Sequence, residues 1–183
     1  MSDGIVWVSP PISSKEIYGV TFEGESKTPP LNIATLAAIT CQNGFRTEII
    51  DAEFLGMSAQ KTAEQILEKD FKYVAITAVT MSIHKAVELA RLIKKENKEA
   101  IILVGGVHMT ALPIETMRMS PELDIGVIGE GDETITELLN VLEGGGDLSQ
   151  VKGLVFRRNG NLVVTEDRPP LKELDKLPMP AWD

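Results

Sequence analysis

With 183 residues, 43% of them hydrophobic and 25% charged, the chain has the composition of one globular domain and enough length to bury a core. A net charge of -9 excludes the basic face that nucleic-acid binding needs, and no apolar run approaches the roughly 18 residues of a membrane span. Cys41 is the single cysteine, which excludes an internal disulfide, an iron–sulfur cluster and a thiolate zinc site.

The opening MSDGIVWVSPP has no basic region and only a short apolar stretch, so it does not read as a signal peptide, and the cytoplasm is the expected compartment. Ile5 to Val8 reads as a first strand, stopped by Ser9-Pro10-Pro11. Ile12 to Thr28 is polar and reads as a long loop. From Pro30 a helical pattern runs through Leu31, Ala34, Leu36, Ala37, Ala38 and Cys41 and ends at Asn43-Gly44 as a left-handed cap. Arg46 to Ile50 is a second strand, and Ser58 is placed to cap a helix reaching about Lys69.

Tyr73 to Ala78 is a third, apolar strand. Ser82 is placed to cap the next helix, whose stripe is Ile83, Val87, Ala90, Leu92 and Ile93, with Lys94, Lys95 and Lys98 near its negative end. Ile101 to Val104 is a fourth strand, stopped by Gly105-Gly106. Thr110 to Met119 reads as a short helix with Pro113 in its first turn. Asp124 to Ile128 is a fifth strand before Gly129-Glu130-Gly131, and a helix from about Asp132 to Leu142 ends at Gly144-Gly145-Gly146.

Five strand-and-helix alternations, with nearly continuous apolar strands, predict an α/β doubly wound, Rossmann-like (flavodoxin-like) five-stranded parallel sheet covered on both faces. Leu154 to Arg157 and Leu162 to Thr165 flank Asn159-Gly160, which predicts a C-terminal β-hairpin. The expected division is 1–147 for the sheet domain, 148–166 for the hairpin and 167–183 for an extended Pro-rich linker toward a further domain.

In such sheets ligands bind beyond the carboxyl ends of the strands. The candidate pocket residues are therefore Ser9, Pro10, Thr77, Ala78, Val79, Thr80, Gly105, Gly106, Val107, His108, Gly129, Glu130 and Gly131. Paired glycines let backbone approach a flat ligand closely, and they also simply make tight turns. Glu130 can accept a hydrogen bond from a ligand or enrich a helix start with negative charge. His84 reads as a surface or capping residue, and His108 as a structural or pocket-lining one. No G-x-G-x-x-G follows the first strand, no P-loop occurs, and no nucleophile–base pair or metal-ligand set is evident.

One succession of motifs resembles the N-terminal domains of cobalamin-dependent radical S-adenosylmethionine enzymes of the oxidative cyclase and methyltransferase kind. It comprises Pro29-Pro30-Leu31, Leu36-Ala37-Ala38, Gly44 and Ile50-Asp51-Ala52, then Gly105-Gly106-Val107-His108 and Ala111-Leu112-Pro113. It continues with Gly129-Glu130-Gly131-Asp132-Glu133-Thr134, Val151-Lys152-Gly153-Leu154, Arg168-Pro169-Pro170 and Leu174 through Asp183. The resemblance implies cobalamin bound to this domain, and a [4Fe–4S] cluster with S-adenosylmethionine in a downstream radical barrel of the same polypeptide. The chain alone is then expected to be inactive. The family's S-x-L position corresponds to Thr77-Ala78-Val79, its double glycine to Gly105-Gly106, and its glycine after Pro-Pro-Leu to Asn32. The D-x-H-x-x-G of methionine-synthase-like modules has no counterpart at Ser9-Pro10-Pro11. Valine at Gly105 or Gly106 is expected to abolish binding and spare the fold. The rival expectation is a non-catalytic docking or regulatory domain that has lost cobalamin.

Overall fold

The computed structural model describes residues 2–13, 15, 16, 19 and 28–182; most of the loop expected over 12–28 lies outside the described residues. Five strands, β1 (Ser2–Ser9), β2 (Arg46–Asp51), β3 (Phe71–Thr77), β4 (Ile101–Gly105) and β5 (Ile125–Val127), pair in parallel in the order β2-β1-β3-β4-β5. This is the doubly wound arrangement, with its switch point between β1 and β3.

The sheet does not end there. The hairpin strands β6 (Leu154–Arg158) and β7 (Asn161–Val164) continue it, β6 pairing antiparallel with β5 through Ile125–Phe156 and Val127–Leu154. The sheet is thus seven-stranded and mixed, and the five-stranded parallel sheet with a separate hairpin is corrected. The reason is burial. Leu154, Val155 and Phe156 are all buried, so both faces of β6 need cover that an isolated hairpin lacks. Asn159 and Gly160 both take positive φ, 52° and 80°, the left-handed pair of the expected two-residue turn.

Period-two alternation divides the core. Ile5, Trp7, Tyr73, Ala75, Leu103 and Phe156 face α1 (Leu31–Gln42) and α6 (Asp132–Gly144). Val6, Val8, Val74, Ile76, Ile102 and Val104 face α2 (Ala59–Glu68) and α3 (Ile83–Glu96) on the other side. Ser58 caps α2 as expected, accepting from the Lys61 N–H at 3.2 Å. Ser82 does not cap α3 with its side chain; its hydroxyl turns back to the N–H of Val79 at 3.0 Å.

The single helix expected over 110–119 is two, α4 (Val107–Ala111) and α5 (Pro113–Met119), broken at Leu112. Pro113 pushes the preceding residue out of helical dihedrals, and Leu112 has φ -136° and ψ 57°. Among the described residues no helix is long and apolar enough to cross a membrane.

Gly126 shows how tightly β5 is packed. A Cβ there would lie 2.6 Å from Met109 Sδ and 2.6 Å from Val155 Cγ1. Gly126→Ala is expected to lower stability by about 1–3 kcal/mol through overpacking, read as a shift of the denaturant midpoint with an unchanged slope.

Candidate ligand cleft

A cleft of about 680 Å³ opens at the carboxyl end of the sheet, on the face covered by α1 and α6. Its floor is Trp7 of β1, Ala75 and Thr77 of β3, Leu103 and Gly105 of β4, and Val127 of β5. Asn32, Ile33 and Leu36 of α1 form one wall. Thr110, Glu130, Asp132 and Ile135 contribute from α4, the β5–α6 turn and α6. The lining is largely apolar, with a few polar groups near the mouth, the usual character of a small-molecule site.

Eight of the thirteen sequence candidates line this cleft: Thr77, Val79, Gly105, Gly106, Val107, Gly129, Glu130 and Gly131. Alternation continued past the strand end explains one that does not. Thr77 follows Ala75 on the cleft face, whereas Ala78 joins Val74 and Ile76 in the core beneath α3. Thr80 instead meets the buried His108, 3.1 Å from its Nδ1, and neither residue lines the cleft. His108 is thus a structural histidine, 5% exposed. His84 is exposed, as expected. Ser9 and Pro10 are not in the lining: the Ser9 carbonyl accepts from Ala52 N–H at 3.1 Å and the Pro10 carbonyl from Ile12 N–H at 2.9 Å.

The two glycines of the pair play different parts. Gly106 has φ 100°, and a Cβ on it would lie 2.6 Å from the Ala78 carbonyl oxygen. Around it Ala78 N–H donates to the Gly105 carbonyl at 2.9 Å, and His108 N–H donates to the Ala78 carbonyl at 3.3 Å. A Cβ on Gly105 would meet only Val127, at 3.8 Å, so its missing side chain leaves space in the cleft. The geometry therefore argues against a valine at Gly106 sparing the fold and is compatible with one at Gly105.

Three lining groups had no sequence signal as ligand residues. Thr110 ties the two glycine turns together: its hydroxyl donates to the Gly106 carbonyl at 3.2 Å and accepts from Gly129 N–H at 3.0 Å. Trp7 stands in the apolar floor with its indole N–H on Thr40 Oγ1 at 3.2 Å. Leu177 arrives from the C-terminal tail. Asn32 was noted only as a departure from glycine. Its amide donates to Thr77 Oγ1 at 3.0 Å, so the residue that departs from glycine is hydrogen-bonded to the one that departs from serine.

Asp132 is the chemically distinctive group in the lining. Burial raises its carboxyl above the ordinary 3.8; a bond from its own backbone N–H opposes this, and the charges of Glu130 and Glu133 add to it. Its folded pKa is raised, so folding favours the protonated acid. That contribution is fully present below 3.8 and is lost as pH rises through the folded value.

An apolar cleft at the carboxyl edge of a doubly wound sheet, with Gly105 in its lining, has the position and character of a small-molecule site in such folds. The chain belongs to the B12-binding domain family, whose match covers residues 18–139. It is 33% identical over 181 residues to an uncharacterized methyltransferase of Pyrococcus horikoshii, matching 98% of this chain and 38% of that protein. It is 28% identical over 159 residues to the anaerobic magnesium-protoporphyrin IX monomethyl ester cyclase of Rubrivivax gelatinosus, matching 84% of this chain and 28% of that one. Among solved structures it shares the fold of OxsB, a cobalamin-dependent S-adenosylmethionine radical enzyme seen with aqua-cobalamin and S-adenosylmethionine bound. The TM-score is 0.79 at 19% identity, over 98% of this chain and 24% of that one. The radical S-adenosylmethionine methyltransferase TsrM from Kitasatospora setae, seen with cobalamin and a [4Fe–4S] cluster, gives 0.73 at 16% identity, over 98% and 31%. The chain thus spans well under half of each of these proteins.

Asp132→Asn carries no titrating group. Its melting temperature relative to the unmodified chain is expected to rise between about pH 3 and about pH 7. A difference flat across that window would show that the carboxyl is not desolvated.

Proposed function

We propose that this chain is the cobalamin-binding part of a radical S-adenosylmethionine enzyme. On this reading residues 1–147 hold the cofactor, 148–166 extend the sheet, and 167–183 lead to a barrel carrying the [4Fe–4S] cluster and S-adenosylmethionine, where catalysis takes place. The observation that carries the proposal is the apolar cleft between the sheet and α1, left open by Gly105 and the small Ala75 and lined, apart from Trp7 and Leu177, by residues of the segment matched by the B12-binding family.

The residues fit the group. Trp7, Leu36, Leu103 and Ile135 offer apolar faces to a flat aromatic base, while Thr77, Asn32 and Thr110 supply hydroxyl and amide partners at the mouth. Val79 and Val107, 44% and 67% exposed, form an apolar rim on which a corrin would rest. Ala78, Thr80 and His108 act behind this surface by fixing the loops that carry it. Bound cobalamin supplies a cobalt centre able to carry a methyl group or support another radical step. The protein's own share is binding, orientation and exclusion of water.

A second reading is favoured by the apolar side chains exposed at or near the same edge, Leu31, Phe54, Leu55 and Met81. A patch of this kind suits docking of further protein, with or without a cofactor. Incubation with hydroxocobalamin followed by desalting separates the two: a corrin absorbance band co-eluting with the protein supports the first, and its absence at excess ligand leaves only docking. Gly105→Val is expected to weaken hydroxocobalamin at least about tenfold while moving stability by less than about 1 kcal/mol. Undiminished binding would place the ligand elsewhere. Gly106→Val is expected to lose stability first, because its backbone and its neighbour both exclude a side chain.

A further inference from the structure

Residues 167–182 lie outside the matched segment 18–139, yet one of them, Leu177, lines the cleft. Their path is pinned at separate points. Arg168, its side chain 10% exposed, pairs with Glu133 at 3.3 Å and with Glu137 at 3.2 Å, both on α6. Leu171 N–H donates to Glu130 Oε2 at 3.2 Å, which fixes the carboxylate at the cleft mouth. Ala181 N–H donates to the Ala34 carbonyl of α1 at 3.0 Å. Between these anchors Leu177 packs against the same apolar cluster as Trp7 and Ile135 and lines the cleft. The segment is therefore a strap that runs from α6 to α1, the two helices flanking the cleft.

A free linker would not carry this pattern. Ordering each backbone residue costs about 1–2 kcal/mol, and the pattern offsets that cost with a mostly buried guanidinium in a two-carboxylate clamp, two backbone bonds and two apolar contacts. Leu177 and Ala181 face the apolar cluster, whereas Met179 is 84% exposed. The inward residues are thus selected by position and not by apolarity alone.

We infer that the strap is the outer wall of the cobalamin cleft and that Leu177 contacts the aromatic base of the bound nucleotide, setting how tightly the base is held. The inference rests on reading the cleft as a cobalamin site. It assigns a ligand contact to a residue outside the matched domain. By linkage it also makes the order of the strap respond to occupancy of the cleft, and the reverse.

The test uses the 183-residue chain and two probes, hydroxocobalamin and dicyanocobinamide, the second keeping the corrin but lacking the nucleotide base. Leu177→Ala is expected to weaken hydroxocobalamin about tenfold and to leave cobinamide within about twofold. Met179→Ala is expected to change neither. Parallel loss of both probes in Leu177→Ala, or loss of neither, overturns the inference while leaving the cobalamin reading intact. Absence of hydroxocobalamin binding by the unmodified chain overturns both. Hydrogen exchange on the unmodified chain gives a readout independent of any variant: hydroxocobalamin should slow exchange at Leu177 and Ala181 more than cobinamide does. Equal protection by the two probes counts against a contact with the base.

Discussion

Ala78 and Gly106 hold the β3–α3 and β4–α4 loops together through main-chain groups. The Ala78 N–H goes to the Gly105 carbonyl and the Ala78 carbonyl receives the His108 N–H, while the Gly106 Cα sits against the same carbonyl with no room for a Cβ. Backbone groups at a strand end are obligatory donors and acceptors. Pairing them across the two loops leaves Thr77 and Gly105 as neighbours at the cleft floor, in the register that β3 and β4 already share. Thr110 extends the same fastening to the next loop through Gly106 and Gly129. The cleft is therefore shaped by a continuous chain of short bonds linking three consecutive strand ends, and the ligand-facing side chains need little of their own to stay in place.

Much of this order was legible along the chain. The alternation of apolar runs and helical stripes predicts the parallel half of the sheet, and Asn159-Gly160 predicts the hairpin turn, because both depend on local periodicity and local φ. The hairpin's addition to the sheet depends on which edge is free, and β5 is only three residues long, with no sequence mark of an open side. The break at Leu112 was readable in principle from Pro113, since proline restricts the residue before it.

The site was legible at its glycines and poorly legible between them. Thr77 and Val79 line the cleft while Ala78 and Thr80 do not, a distinction that a run of candidates taken whole conceals. Leu177 and Thr110 are ordinary residues that matter through contacts with distant segments, such as the bond from Thr110 to Gly129, and no local pattern announces such contacts. Asn32 and Thr77 form an intermediate case. Each looked like an isolated departure, and only the 3.0 Å bond between them shows that they are neighbours.

That bond also bears on how the cleft is entered. With Asn32 joined to Thr77, the mouth is crossed by a hydrogen bond between the first turn of α1 and the end of β3, beside the opening that Gly105 provides. The group is exposed, so exchanging it for bonds to water or to a ligand costs little net energy. A ligand that satisfies the Thr77 hydroxyl itself can therefore displace the Asn32 amide without leaving a buried polar group unpaired. The opposite wall behaves differently: the clamp of Arg168 on Glu133 and Glu137 is mostly buried on its cationic side, and parting it would leave that charge without its partners. The mouth can thus yield at the Asn32 side chain while the strap stays anchored at Arg168 on α6 and at Ala34 on α1.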